Sequence, residues 1–171
     1  MRKITTLIVL ALVFMVSKNS EAQMAAAKTI TWDIEINVDV KASKGEVWRH
    51  IIDNEKLKFY SNGYVSSIKK IDQELVESRE ILFSNGNKRI ETIKQIDYVN
   101  KFMVIRINSE SLPKGIKNAE IAIFTKEIDD ENSNILWVTQ IEGRKSSKQK
   151  LIDRLKAEFE SYAIGFGEIK N

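Results

Sequence analysis

Apolar and polar side chains alternate without a break from residue 32 to residue 41. Trp32, Ile34, Ile36, Val38 and Val40 stand against Asp33, Glu35, Asn37, Asp39 and Lys41. Successive strand side chains point to opposite faces, so this stretch predicts a strand with one buried side and one wet side. At Ser43 the period changes. Ser43 and Glu46 form the S-x-x-E of a capping box, and Val47, Trp48, Ile51 and Ile52 recur at helical spacing. Asn54 is placed to cap a second short helix through Leu57, Phe59 and Tyr60, which Ser61-Asn62-Gly63 ends.

Strand-like segments then follow closely: Tyr64–Asp72, Glu77–Ser84, Lys88–Asp97, Lys101–Asn108, Asn118–Asp129 and Asn134–Glu142. The gaps leave no room for crossover helices, so the sheet is expected to be antiparallel. Asn85-Gly86 is a hairpin signal, and Tyr98-Val99-Asn100 and Asp130–Ser133 read as further turns. Ser109–Lys117, with the sole proline, Pro113, is the longest irregular segment. From Ser146 the chain turns helical. Ser146 and Gln149 suggest a second capping box, and Leu151, Leu155, Phe159, Tyr162, Phe166 and Ile169 form one apolar stripe.

A two-residue Asn85-Gly86 turn would pair Leu82 with Arg89, Ile81 with Ile90, Glu80 with Glu91 and Arg79 with Thr92. Arg79, Ile81, Phe83, Ile90 and Thr92 would then share the inner face, and Glu80, Leu82, Arg89 and Glu91 the outer one. Carried across a four-residue Tyr98–Lys101 turn, the same register places Met103, Ile105 and Ile107 on the inner wall, opposite Ile96, Lys94 and Thr92, with Arg106 outside near Glu91. Thr125 and Thr139 fall on the inner alternations of the last two strands. A guanidinium inside must reach solvent, a carboxylate or an anionic ligand, which makes Arg79 a candidate anchor.

The chain has 171 residues, enough for one domain with a core of its own. It opens on Met1-Arg2-Lys3, an uncharged run from Ile4 to Val16, and small residues at Ser20 and Ala22. This is the pattern of a secretory leader cleaved after Ala22. The run of 13 residues is short of the ~20 of a spanning helix, so no stable membrane span is expected after cleavage. Residues 1–22 are therefore read as a signal peptide and 23–171 as the domain, in the periplasm or outside the cell. Cleavage removes three of 27 basic and one of 24 acidic side chains, leaving 24 and 23. Such a mixed surface, without a basic stripe, argues against nucleic acid as a partner.

The chain has no cysteine, so thiol nucleophiles, thiolate metal sites and disulfides are excluded. Its single histidine, His50, rules out a multi-histidine metal site and reads as a surface residue of the first helix. No phosphate-binding glycine loop or HExxH motif is present. No catalytic residue, metal ligand or cofactor is expected.

The order strand, two short helices, six strands and long helix resembles the START-like superfamily of polyketide cyclase/dehydrase, lipid-transport and Bet v 1-type proteins. The resemblance runs from Thr29 to Asn171. It is carried by Ile36, Val38, Ala42, Ser43, Glu46, Val47 and Trp48, by the Asn54–Tyr60 helix and by the Ser146–Lys170 helix. Lys44 stands where that family usually has proline. The resemblance implies an α+β helix-grip fold, a curved seven-stranded antiparallel sheet around the last helix with a cavity between them.

The expected function is that of an exported carrier holding a small hydrophobic ligand, such as a lipid, an isoprenoid or an aromatic metabolite. The alternatives are a polyketide cyclase-like enzyme and a closed domain that binds a protein partner. Candidate ligand-binding residues are Phe59, Tyr60, Arg79, Ile81, Phe83, Thr92, Ile105, Thr125, Thr139, Phe159 and Tyr162.

Overall fold

A computed structural model describes residues 31–71 and 77–169, and the leader expected over residues 1–22 lies outside them. The elements run β1 (Ile34–Val40), α1 (Lys44–Ile52), α2 (Asn54–Phe59), β2 (Val65–Ile71), β3 (Ser78–Phe83), β4 (Lys88–Asp97), β5 (Phe102–Ile107), a 3₁₀ turn (Ser109–Ser111), β6 (Ile116–Glu127), β7 (Ser133–Gly143) and α3 (Lys145–Gly167). The strands form one antiparallel sheet in the order β1-β7-β6-β5-β4-β3-β2. This is the α+β helix-grip arrangement expected from the element order.

The period-2 pattern places the core. Ile34 and Val40 of β1 are buried while Glu35, Asn37 and Asp39 are exposed. On β6 and β7 the inward set is Ile121, Ile123, Thr125, Ile135, Trp137, Thr139 and Ile141, all buried. Each fully buried Ile contributes about 1.5–3 kcal/mol of transfer free energy, so this wall is a principal source of stability. Trp137 carries the grip. Its ring lies 6.4 Å from Phe159, 6.4 Å from Tyr162 and 6.1 Å from Phe166, three aromatics on one stripe of α3.

Ser43 caps α1, its Oγ accepting from the Glu46 N–H at 3.3 Å. The other expected caps shift. Asp53, not Asn54, caps α2, accepting from the N–H groups of Glu55 and Lys56. Helix α3 begins at Lys145 with Arg144 at the cap position, and no side chain bonds there. Ser147 donates instead to the Lys114 carbonyl at 2.8 Å, so a tertiary bond to the preceding loop replaces the Ser146–Gln149 box.

The far end of α3 is seated by a missing side chain. A Cβ on Gly165 would collide with the Tyr60 carbonyl, whose carbon would lie 2.8 Å away. Ser161 donates to the Ser61 carbonyl at 2.6 Å in the same seam. Backbone approach thus accounts for a glycine that would otherwise weaken the helix.

Candidate functional site

The β3–β4 hairpin places Arg89 and Glu91 inside the grip, where the sequence register puts them outside. The loop has three residues, Ser84-Asn85-Gly86. Gly86 N–H donates to the Phe83 carbonyl and Phe83 N–H to the Asn87 carbonyl, both at 2.9 Å, with Gly86 at φ +82°. A type I turn closed by a left-handed glycine adds one residue to the two-residue turn expected. Every pair therefore slips by one: Arg79 faces Glu91, Ile81 faces Arg89 and Ser78 faces Thr92.

A one-residue slip exchanges the faces of a strand. Arg89 and Glu91 are buried on the inner face with Arg79 and Ile81. Thr92 is not an inner residue: its hydroxyl donates to Asn108 Oδ1 at 2.7 Å and lies 3.2 Å from Ser78 Oγ. A bulge between Ile93 and Gln95 then restores the expected Ile96–Met103 pairing and leaves Lys94 exposed. Arg106 does face outward, but it pairs with Glu120 on β6 rather than with Glu91.

Four ionised side chains meet within this wall. Glu91 divides its carboxylate: Oε2 accepts from Arg79 Nε at 2.9 Å and Oε1 from Arg89 Nε at 2.8 Å. Arg89 Nη2 also lies 2.6 Å from Glu91 Oε1, and on the α3 side Nη1 and Nη2 donate to the two oxygens of Glu158 at 2.6 and 2.7 Å. Arg79 Nη1 donates more weakly to Asn54 Oδ1 at 3.4 Å. Phe83 lies with its ring centroid 5.0 Å from the Arg89 guanidinium carbon.

The two carboxyls are shifted in opposite senses. Burial pushes Glu91 upward, but Arg89 and Arg79 together more than offset it and hold the group below the ordinary glutamate range. Burial also pushes Glu158 upward, and with Arg89 as its principal opposing cation it stays above that range. For Arg89, burial acts downward, and Glu158 and Glu91 outweigh it, so its pKa is raised. Burial and then Glu158 raise the Tyr162 phenol, whose buried hydroxyl has no protein partner.

Two small spaces adjoin the network. The inner one, about 20 Å³, is enclosed by Leu57, Arg79, Glu91, Ile105, Trp137, Phe159 and Tyr162 among others. The outer one, about 80 Å³, forms a mouth between the β3–β4 hairpin and α3, lined by Tyr64, Phe83, Lys88, Leu151 and Arg154. Arg89 and Glu158 line both spaces, so their ion pair is the partition between inside and mouth. Among the described residues, Trp137, the α3 aromatics and the charge network occupy the region between sheet and α3 where the family resemblance implied a roomy cavity.

The remaining candidates divide by position. Ile81 is buried beside the network, and Ile105, Phe159 and Tyr162 border the inner space. Thr125 and Thr139 point inward, their buried hydroxyls without partners. Phe83 is at the mouth. Tyr60 stacks on Phe166 at 4.6 Å between ring centroids. Phe59 is displaced from the site: it is 76% exposed, and Leu57 supplies the inward side chain of α2. Two residues along a helix are about 200° of rotation, so both cannot face in. His50, expected at the surface, is partly buried. Its Nδ1 is buried without a partner, and burial, followed by Lys56, lowers its pKa.

Sequence reasoning missed Arg89, Glu91 and Glu158. A signal for the last was present, since Glu158 lies three residues after Leu155 and four before Tyr162, on the apolar stripe itself. Among the described residues no cluster of His, Asp or Glu is placed to hold a metal ion, and no helix is long and apolar enough to cross a membrane.

These elements define a class by fold. No protein-family model matches the chain, and no curated protein matches it in sequence. Among solved structures, the protein XoxI from Bacillus cereus superposes with a TM-score of 0.66 at 18% identity, over 79% of this chain and 92% of that one. The di-domain ARO/CYC BexL, from the BE-7585A biosynthetic pathway, superposes at 0.66 with 7% identity, over 78% of this chain and 44% of that one. Norcoclaurine synthase from Thalictrum flavum, in complex with dopamine and hydroxybenzaldehyde, gives 0.61 at 14% identity, over 81% and 87%. The chain has the helix-grip fold, which these solved structures share.

Proposed function

We propose that this is an exported binding protein for a small, largely apolar molecule, received at the mouth between the β3–β4 hairpin and α3. One observation carries the reading: a mouth of about 80 Å³, with an apolar side at Tyr64, Phe83 and Leu151 and polar groups around the rest, leads to a buried charged partition with an inner space of about 20 Å³ behind it. Phe83, Tyr64 and Leu151 offer the apolar wall that small-molecule sites use, and Arg89 and Glu158 the few convergent polar groups that fix orientation. The unpaired Tyr162 hydroxyl at the inner space is a further donor. Export is inferred from the basic start, apolar run and small residues of the first 22 positions.

Native mass spectrometry of the protein purified from its own host, followed by extraction, tests the proposal. An apolar molecule released on denaturation is the expected result. An empty protein that also fails to take up naphthyl or ten-carbon probes overturns it, and leaves a closed domain that works through its outer surface. A second reading, acid–base catalysis, is favoured by one observation, the raised carboxyl of Glu158 at the wall of an accessible pocket. It requires that the extracted molecule be converted by the native protein and left intact by Glu158→Gln.

A further inference from the structure

We infer that the molecule received at the mouth carries an anionic head, a carboxylate or a group of like shape, that replaces the Glu158 carboxylate on the Arg89 guanidinium. This rests on the proposal that a small apolar molecule binds there. The two arginines are not equivalent. Arg79 is balanced by Glu91 on the neighbouring strand and lines only the inner space. Arg89 meets Glu91 through Nε and through Nη2, 2.6 Å from Oε1, and presents Nη1 and Nη2 as a fork to the two oxygens of Glu158, 2.6 and 2.7 Å away. That fork matches the spacing of carboxylate oxygens, and Arg89 is the guanidinium that also borders the mouth.

The exchange conserves charge where a neutral ligand would not. A neutral molecule that displaced Glu158 would leave a buried guanidinium half-paired, a costly state. An incoming carboxylate restores both bonds. Two features of the mouth suit the exchange. The Phe83 ring, 5.0 Å from the Arg89 carbon, supports the guanidinium independently of Glu158. Arg154 lies one helical turn before Glu158 on α3 and lines the same mouth, so the displaced side chain has a cation at i−4.

Size places the two ends of the ligand. A space of about 20 Å³ holds roughly one water, not a chain or ring, so the head stops at the partition. The apolar part then lies outside it, against Phe83, Tyr64 and Leu151. Lys88 and Arg154 at the rim add positive charge that attracts an acid.

Calorimetric titration with matched probes, 2-naphthoate against 2-naphthalenemethanol and decanoate against decanol, decides the point. In at least one pair the acid is expected to bind about tenfold or more tightly than the alcohol. Glu158→Gln, which removes the charge that competes for Arg89, is expected to tighten acid binding severalfold. Arg89→Met is expected to abolish the preference. Should that variant fail to fold, the exposed-rim variant Arg154→Ala, expected to weaken the acid and spare the alcohol, carries the same test. Equal binding of acid and alcohol overturns the inference and leaves the binding proposal standing. A preference for acid that Glu158→Gln leaves unchanged also overturns the exchange. Failure of every probe, together with an empty protein from the native host, overturns both.

Discussion

The two halves of the sheet close on the same helix by opposite means. On β6 and β7 the inner face is Ile121, Ile123, Ile135, Trp137 and Ile141, interrupted by two threonines. On β3 and β4 it is Arg79, Ile81, Arg89 and Glu91, tied to α3 through Glu158. The apolar half stabilises in proportion to area buried and needs no particular partner for each atom. The charged half must recover the desolvation of four ions through complete pairing, and apolar residues of similar volume would serve stability as well or better. A wall that costs stability and borders the mouth is where function is to be sought.

The largest test of this contrast is Glu91→Gln. It leaves Arg79 and Arg89 buried with one carboxylate between them, and a loss of about 3–5 kcal/mol is expected in chemical denaturation. A loss within the range of an ordinary surface change would mean that water screens the network.

Acid should produce the same weakening gradually, bounded by that figure. The Glu91 pKa is lowered on folding, so its contribution is present above roughly pH 4.3, the ordinary value, and is lost as pH falls through the folded one. Glu158 acts in reverse. Its raised pKa gives a contribution that is full below the ordinary value and lost as pH rises through the folded one. Stability against pH, measured for the native protein and for each Glu→Gln variant, should lose the acid limb in Glu91→Gln and keep it in Glu158→Gln.

A smaller effect tests the turn that sets the charged face. Gly86 sits at φ +82°, and Gly86→Ala should cost about 1–2 kcal/mol through left-handed strain. In the apolar half the sign reverses. Thr139→Val and Thr125→Val remove buried hydroxyls that lack partners, and each should stabilise by about 1 kcal/mol. Destabilisation there would show that a bound molecule or water satisfies those hydroxyls.

Legibility followed the same division. β1, β6 and β7 carry clean alternation, and their inner faces were readable residue by residue, including Thr125 and Thr139. So were the three helices, and every strand boundary to within two residues, because hydrophobic period reports burial directly. On β3 and β4 both faces mix charged and apolar side chains, so pattern alone does not choose between them. The choice there hung on the length of one turn, and Asn-Gly suits a two-residue or a three-residue loop. Phe59 failed for a similar reason, an aromatic at a helix end whose neighbour Leu57 takes the inward position.

By itself, the order and periodicity of residues determined the fold class, the strand and helix segments and the apolar wall, since each follows from spacing along one element. Which charges lie inside was decided only in three dimensions. The three-residue turn at Ser84–Gly86 and the bulge at Lys94 set the register of β4, and Glu158, more than sixty residues away, completes the pairing that makes a buried arginine tolerable. A buried charge is stable only with a partner, and a partner from a distant element is a property of the folded chain.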